Sequence, residues 1–283
     1  MSVGRPPVRR RRLSALLIKF REEAGRTTDD AAERIGCHRT KINRIENARL
    51  GISLGELRDL LTFYGVTSDT QIEEMVALAG KGRPPGWVQR VVATRESYSD
   101  FISYEETARS IRSLQTILIA GLLQTPDYAR AAIGSVQPLL SREQADALVT
   151  ARLERQALLH RPEPPRFSVI QHEAALRMEV GGRLVMGQQL DHLVRMSESP
   201  AIELRVVSNQ AGASAALFGP FVLFDFANPA FPDVVCLEHR TGTVFLESPE
   251  ETEEYTPIFD LLRQVALSPD ASRELITSVR KDM

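Results

Sequence analysis

The chain has 283 residues, of which 43% are apolar and 25% charged, with 17 Gly and 16 Pro. That length suits two domains, and the composition excludes a collagen-like or disordered chain. No window reaches the roughly 18 consecutive apolar residues of a membrane span. The Arg-rich N-terminus lacks the apolar stretch of a secretory signal. Cys37 and Cys236 are too few and too far apart for a disulfide framework or a Cys-based zinc site. The expectation is a soluble cytoplasmic protein with no membrane contact.

The net charge of −2 hides an asymmetry. Residues 1–90 hold 17 Lys and Arg against 11 Asp and Glu, a net of +6, and residues 91–283 hold 18 against 26, a net of −8. A basic head on an acidic body suits a polyanion partner. The predicted boundaries are 1–80 for the head, with 1–12 as a basic arm, 81–102 for a linker and 103–283 for the body.

The head reads as five helices. Leu13, Leu16, Leu17 and Phe20 form one helical stripe that Gly25 ends. Thr27 suits the N-cap of a second, short helix with Asp29 and Asp30 in its first turn. Gly36 follows, and a third helix from about Arg39 to Glu46 buries Ile42 and Ile45. The fourth carries Leu54, Leu57, Leu60 and Leu61, and the fifth Ile72, Met75, Val76 and Ala79.

The second and third helices must cross steeply around a tight turn. Ala32 is small where they touch, Gly36 accepts the positive φ of the turn, and Ile42 and Ile45 close the core. With these features, residues 12–79 resemble the XRE (Cro/lambda-repressor-like) helix-turn-helix family. The stretch AAERIGCHRTKINRIENARLGIS is similar to its usual ELAERLGVSRSTISRIENG pattern. Thr28 departs from it where a DNA-contacting glutamine is usual, and His38 where serine or threonine caps the helix. The resemblance also implies an internal structural role for Glu46 and a core position for Cys37.

In such a motif the second helix enters the major groove of double-stranded DNA. Its outward set here is His38, Arg39, Thr40, Lys41, Asn43 and Arg44. Arg grips guanine and Asn pairs with adenine, so Arg39, Thr40 and Asn43 are the expected base readers. Lys41, Arg44 and Arg49 are expected on phosphates, with Thr28 near the backbone. Arg9, Arg10, Arg11 and Arg12, just before the first helix, are expected to reach phosphates or a minor groove. Since one recognition helix binds weakly, a homodimer is expected.

Lys81-Gly-Arg-Pro-Pro-Gly86 breaks the chain, and Trp87 follows as a linker anchor. The body is expected to be α+β, with about five strands flanked by helices. Residues 103–120 are predicted helical. Thr125 and Pro126 open the next helix, and Ser141 with Gln144 forms a capping box for one reaching about Leu159. Strand-like runs fall at 167–171, 202–206, 221–226, 234–237 and 243–246. A helix spans 183–196. Ser248 starts another, which Pro257 interrupts or restarts, and Ser268 caps the last.

The order YEETARSI, IAGLLQTPDYARA, FSVIQHEAALR, GQQLDHL, IELRVV, FVLFDF, VVCLEH, VFLES and FDLLRQVALSP resembles the C-terminal domain of a large actinobacterial family of XRE-type, antitoxin-like regulators. The similarity spans about residues 95–275, with GLLQT its most distinctive piece. It implies work beside a small partner protein.

No HExxH, GxSxG or phosphate-loop motif appears. No catalytic, metal or cofactor residue is therefore assigned, and the protein is not expected to be an enzyme. His172-Glu173 and Glu238-His239 end strand-like runs and would converge only if those strands pair. Gly212-Ala-Ser-Ala-Ala216 reads as a small-residue loop, and Ser214 has no base partner.

The sequence thus predicts a sequence-specific transcription regulator, nucleoid-associated when bound to DNA. Its body would dimerise and receive a protein or small-molecule signal. The alternatives are an antitoxin-like binder of a small protein encoded nearby, or a DNA-tethered enzyme.

Overall fold

The computed structural model describes residues 8–79, 96–212, 218–227, 231–239 and 242–283. The chain forms two compact units, Met1–Pro85 and Gly86–Met283.

The first unit is all helical: α1 Val8–Glu23, α2 Thr28–Arg34, α3 Arg39–Glu46, α4 Leu54–Phe63 and α5 Asp69–Ala79. Leu16, Leu17, Ile42, Leu57, Leu60, Leu61 and Met75 fill its centre. One difference from expectation lies at the start. Helix α1 begins at Val8, not near Leu13, so Arg9, Arg10, Arg11 and Arg12 are turns of a helix and not an arm. Val8 is buried, and arginine is a good helix former, so the helix runs through all four arginines.

The second unit is α+β. Its helices are α6 Glu96–Thr107, α7 Pro126–Val136, α8 Arg142–Gln156, α9 Glu173–Arg177, α10 Arg183–Met196, α11 Pro249–Thr252, α12 Tyr255–Val265 and α13 Pro269–Lys281. Its strands are β1 Ser110–Gln115, β2 Arg166–His172, β3 Ile202–Val207, β4 Phe221–Asp225, β5 Val234–His239 and β6 Gly242–Leu246. They form one six-stranded sheet in the order β3-β2-β1-β4-β5-β6. β1 runs parallel to β2, and β2 to β3, while β1–β4, β4–β5 and β5–β6 are antiparallel.

The extra strand is β1, in the middle of the sheet, where a helix over 103–120 was expected. Both its faces are covered, so Ile111, Ser113 and Leu114 are all buried and the usual alternation of a strand is lost. The linker expected over 81–102 lies outside the described residues as far as 95, Trp87 included. From Glu96 onward it is helix α6.

One face of the sheet carries Leu114, Ile170, Phe221, Leu223 and Val235, packed on Phe259 and Leu262 of α12. Register places Ile111, Ser113 and Gln115 on the other face, beside Phe167 and Val169 of β2 and Val222 and Phe224 of β4. There the rings of Phe101 and Tyr104 from α6 lie 5.4 and 5.9 Å from that of Phe224.

Side-chain amides hold the GLLQT turn between β1 and α7. Gln189 is fully buried, donates to Leu123 O at 2.6 Å and accepts from Thr125 N at 2.7 Å. Gln124 donates to Ile119 O and Gln156 to Gln124 O, both at 2.6 Å. Thr125, Ser141, Ser248 and Ser268 each cap the helix expected of them. After α11 the chain restarts at Tyr255, with Pro257 in the first turn, where its missing N–H is harmless.

Candidate nucleic-acid interface

Thr27 caps α2 through a complete capping box. Its side chain accepts from Asp30 N at 3.1 Å, and its backbone N–H donates to Asp30 Oδ2 at 2.8 Å. That backbone bond holds the Asp30 carboxyl below its ordinary pKa. Gly36 sits at φ +61°, and Gly36 and Cys37 donate backward to Glu33 O and Ala32 O at 3.1 and 2.9 Å. These two bonds close α2 and launch α3 across it. His38 holds the N-cap position of α3 in extended backbone, but its side chain makes no capping bond.

Ile42 and Ile45 are 1% and 2% exposed, so one side of α3 is pinned inward. Ser14 of α1 donates to Ile45 O and ties down the end of α3. Glu46 accepts from Arg21 Nε at 2.7 Å and Nη2 at 3.2 Å, the internal pairing expected of it. That hydrogen bond raises the Arg21 pKa, and burial pushes the nearby Tyr64 phenol up to about 12.

The opposite side of α3 is solvent-facing. His38, Arg39, Thr40, Asn43, Arg44 and, beyond the helix, Arg49 are exposed, while Thr28 is half-buried at the start of α2. On α3 itself, Arg39 and Lys41 are engaged. Arg39 Nη1 lies 3.3 Å from Asp29 Oδ2, both well exposed, a pair worth under about 1 kcal/mol. Lys41 is half-buried and ion-paired with Glu56, which also belongs to the Ser53 capping box of α4. The Lys41 hydrogen bond holds the Glu56 pKa down. Sequence reasoning missed both pairs, since Asp29 and Glu56 carry no signal of their own beyond helix-capping positions. Arg9–Arg12 lie on α1, half-buried. Cys37 is also only half-buried, its thiol donating weakly to His38 O at 3.6 Å and pushed up in pKa by burial.

Residues 12–75, from α1 into α5, match a family described as a helix-turn-helix domain. Residues 98–278, well over half of the chain, match a family described as a domain of unknown function, DUF5753. The chain belongs to the DUF5753 family. No curated protein and no solved structure matches it. The DUF5753 region contains all six strands and runs from α6 into α13.

Within the DUF5753 region the two His-Glu pairs do not converge. β2, ending in His172, and β5, ending in Glu238 and His239, are separated by β1 and β4. Three strand spacings amount to about 14 Å. His172 instead caps α9 by accepting from Ala174 N at 3.1 Å. Glu173 pairs with Arg177 at 2.7 Å and accepts from Asn209 N at 2.9 Å. Among the described residues no group of three or more His, Cys, Asp or Glu is placed to hold a metal ion. Among those residues, too, no helix is long and apolar enough to cross a membrane. Ser214 lies outside the described residues.

Proposed function

We propose that the chain is a sequence-specific transcription regulator of XRE type, cytoplasmic, whose helix-turn-helix unit binds an operator as a homodimer. Its DUF5753 domain receives the signal that modulates binding. The observation that supports this most is α3 itself: two buried isoleucines on one side and a solvent-facing row of Arg39, Thr40, Asn43 and Arg44 on the other. Such a helix offers hydrogen-bonding groups to base edges and a cationic flank to phosphates.

The engaged cations refine the roles. Arg39 leaves Asp29 at small cost and reads a base. Lys41 reaches phosphate only by abandoning Glu56, so Arg44 and Arg49 take the phosphates and Lys41 supports the helix. Dimer half-sites would lie about 34 Å apart, one duplex turn.

Fluorescence anisotropy on duplexes selected from a random pool tests this. Arg39→Ala should cost about 1–3 kcal/mol on the selected site and relax the preference there. Arg44→Ala should weaken all duplexes alike and lower the salt slope by about one. A chain that binds no duplex at low ionic strength would overturn the proposal. A clean monomer by light scattering, with and without DNA, would overturn the dimer.

A further inference from the structure

The two edges of the sheet end differently. At β3 the chain itself occupies the edge: Leu267 N donates to Val206 O at 2.9 Å, and Val206 N donates to Ser272 Oγ at 2.9 Å. At β6 the edge is open. Among the described residues no backbone bond reaches β6 other than those of its ladder with β5. β6 also lacks the lysine, proline or bulge that blunts many edge strands.

The register says which groups are open. His239 pairs with Gly242 across only two residues, so they share a hydrogen-bonded pair, and such pairs alternate along an antiparallel ladder. Gly242, Val244 and Leu246 therefore bond to β5, and Thr243 and Phe245 turn their N–H and C=O groups outward. Phe245 is held in place, its ring 5.3 Å from that of Tyr104. On the other face Val244 is 42% exposed, on the same side as Leu246, which packs on the core with Ile258 of α12. Leu261 and Val265, three and seven residues after Ile258 and so on its side of the helix, are 50% and 44% exposed.

Charge selects what fits there. From Gly242 to Leu262 the chain has six acidic residues, Glu247, Glu250, Glu251, Glu253, Glu254 and Asp260, and no Lys or Arg. All but Glu247 are exposed, and among the described residues those five make no ion pair. We propose that the β6 edge binds an extended basic segment of another protein, which adds a strand to the sheet. Its backbone meets Thr243 and Phe245, its apolar side chains cover Val244, and its Lys or Arg residues lie against Glu250, Glu251 and Glu253. A second copy of this chain would bring the same carboxylates to the edge, and like charges oppose such pairing.

This names a partner for the DUF5753 domain, and its signalling half rests on that domain being the receiver. Titration calorimetry of the full chain tests it with the peptides KKVTVTV and VTVTVKK, suited to antiparallel and parallel addition, beside their glutamate counterparts EEVTVTV and VTVTVEE. One lysine peptide should bind, and its glutamate counterpart at least tenfold more weakly. Of its two alternately N-methylated forms, one should lose binding and the other keep it, since an added strand offers β6 only every second N–H. Thr243→Pro removes an outward donor without touching the β5 ladder and should weaken the peptide at least tenfold. Val244→Lys should do the same and serves if the proline variant fails to fold. Glu250→Lys with Glu253→Lys should erase the preference for lysine over glutamate.

Absence of binding by both lysine peptides, or binding undiminished in both edge variants, overturns the surface. Equal binding of the two methylated forms overturns strand addition. A dimer by light scattering that Thr243→Pro dissolves overturns the basic occupant in favour of a second copy. Anisotropy on the same samples separates this proposal from the regulator. Peptide bound without any change in DNA affinity overturns the signalling role while upholding the surface. Failure to bind DNA at all strikes the regulator and not the edge.

Discussion

His38 shows how one side chain leaves stability unused. Its backbone, at φ −79° and ψ 140°, is already that of an N-cap, yet its side chain accepts nothing from the first turn of α3. Thr27, Ser53 and Ser141 do accept such bonds at the corresponding position of their own helices. His38→Ser should therefore stabilise the helical unit by about 1 kcal/mol, read as a higher melting temperature by scanning calorimetry. No gain would mean that the hydroxyl cannot reach the N–H of Lys41 or its neighbour. Lys41 teaches a related lesson. Residue type and helix position marked it as a phosphate ligand, but whether a lysine is available depends on what stands across from it. Here that is Glu56, fifteen residues later, on another helix.

At the scale of elements, the turn between α2 and α3 and the GLLQT turn give contrasting tests. Gly36 is at φ +61° and an added Cβ there would meet nothing, so Gly36→Ala should cost only backbone strain, about 1–2 kcal/mol by chemical denaturation. Ala48, at φ +57° after α3, shows that the fold already bears one such residue. Gln189→Leu should cost more, about 2–4 kcal/mol, because it strands both Leu123 O and Thr125 N in the interior; a thermal melt of the full chain reads the loss. The caps at Thr27, Thr125, Ser141, Ser248 and Ser268 and the apolar stripes of the N-terminal helices were legible because capping chemistry is local and the apolar period repeats, whereas α9 was not foreseen and α6 was misplaced. Five of the six strands were legible for the same reason. β1 was not: as the middle strand it has no solvent face, and it turns Ser113 and Gln115 inward where alternation would demand apolar residues. The row of polar residues on α3 could be read directly, since Ile42 and Ile45 fix which way the helix faces. The start of α1 could not, because one isolated Val8 among arginines gives no period.

At the scale of the whole molecule, protonation should work in one main direction. Burial lowers the folded pKa of His192, with Arg195 and His160 adding to it, while an unfolded imidazole takes its proton near pH 6.5. Below about that pH the unfolded chain binds more protons, so stability falls as the solution is acidified. Glu173 and Glu203 are pushed up by burial but pulled further down, Glu173 by the Asn209 N–H and Arg177 and Glu203 by Arg205 and Arg263. Their contribution is present above about pH 4.3, the ordinary glutamate value, and is lost as pH drops through their folded pKa values. Asp233 opposes this, since burial and Asp225 raise it, and its contribution fades as pH rises. Melting temperatures should therefore fall steadily from pH 7.5 to 5.5 to 4, and a flat profile would contradict the assignments. The topology of the sheet also has a consequence for synthesis. Ser110 pairs with Arg166 on one side and Asp225 on the other, so the middle of the sheet stays incomplete until most of the chain has left the ribosome. The five N-terminal helices close their own core within residues 8–79, α1 packing on α3 and α5. A nascent chain therefore owns a finished helix-turn-helix unit well before the sheet behind it can close.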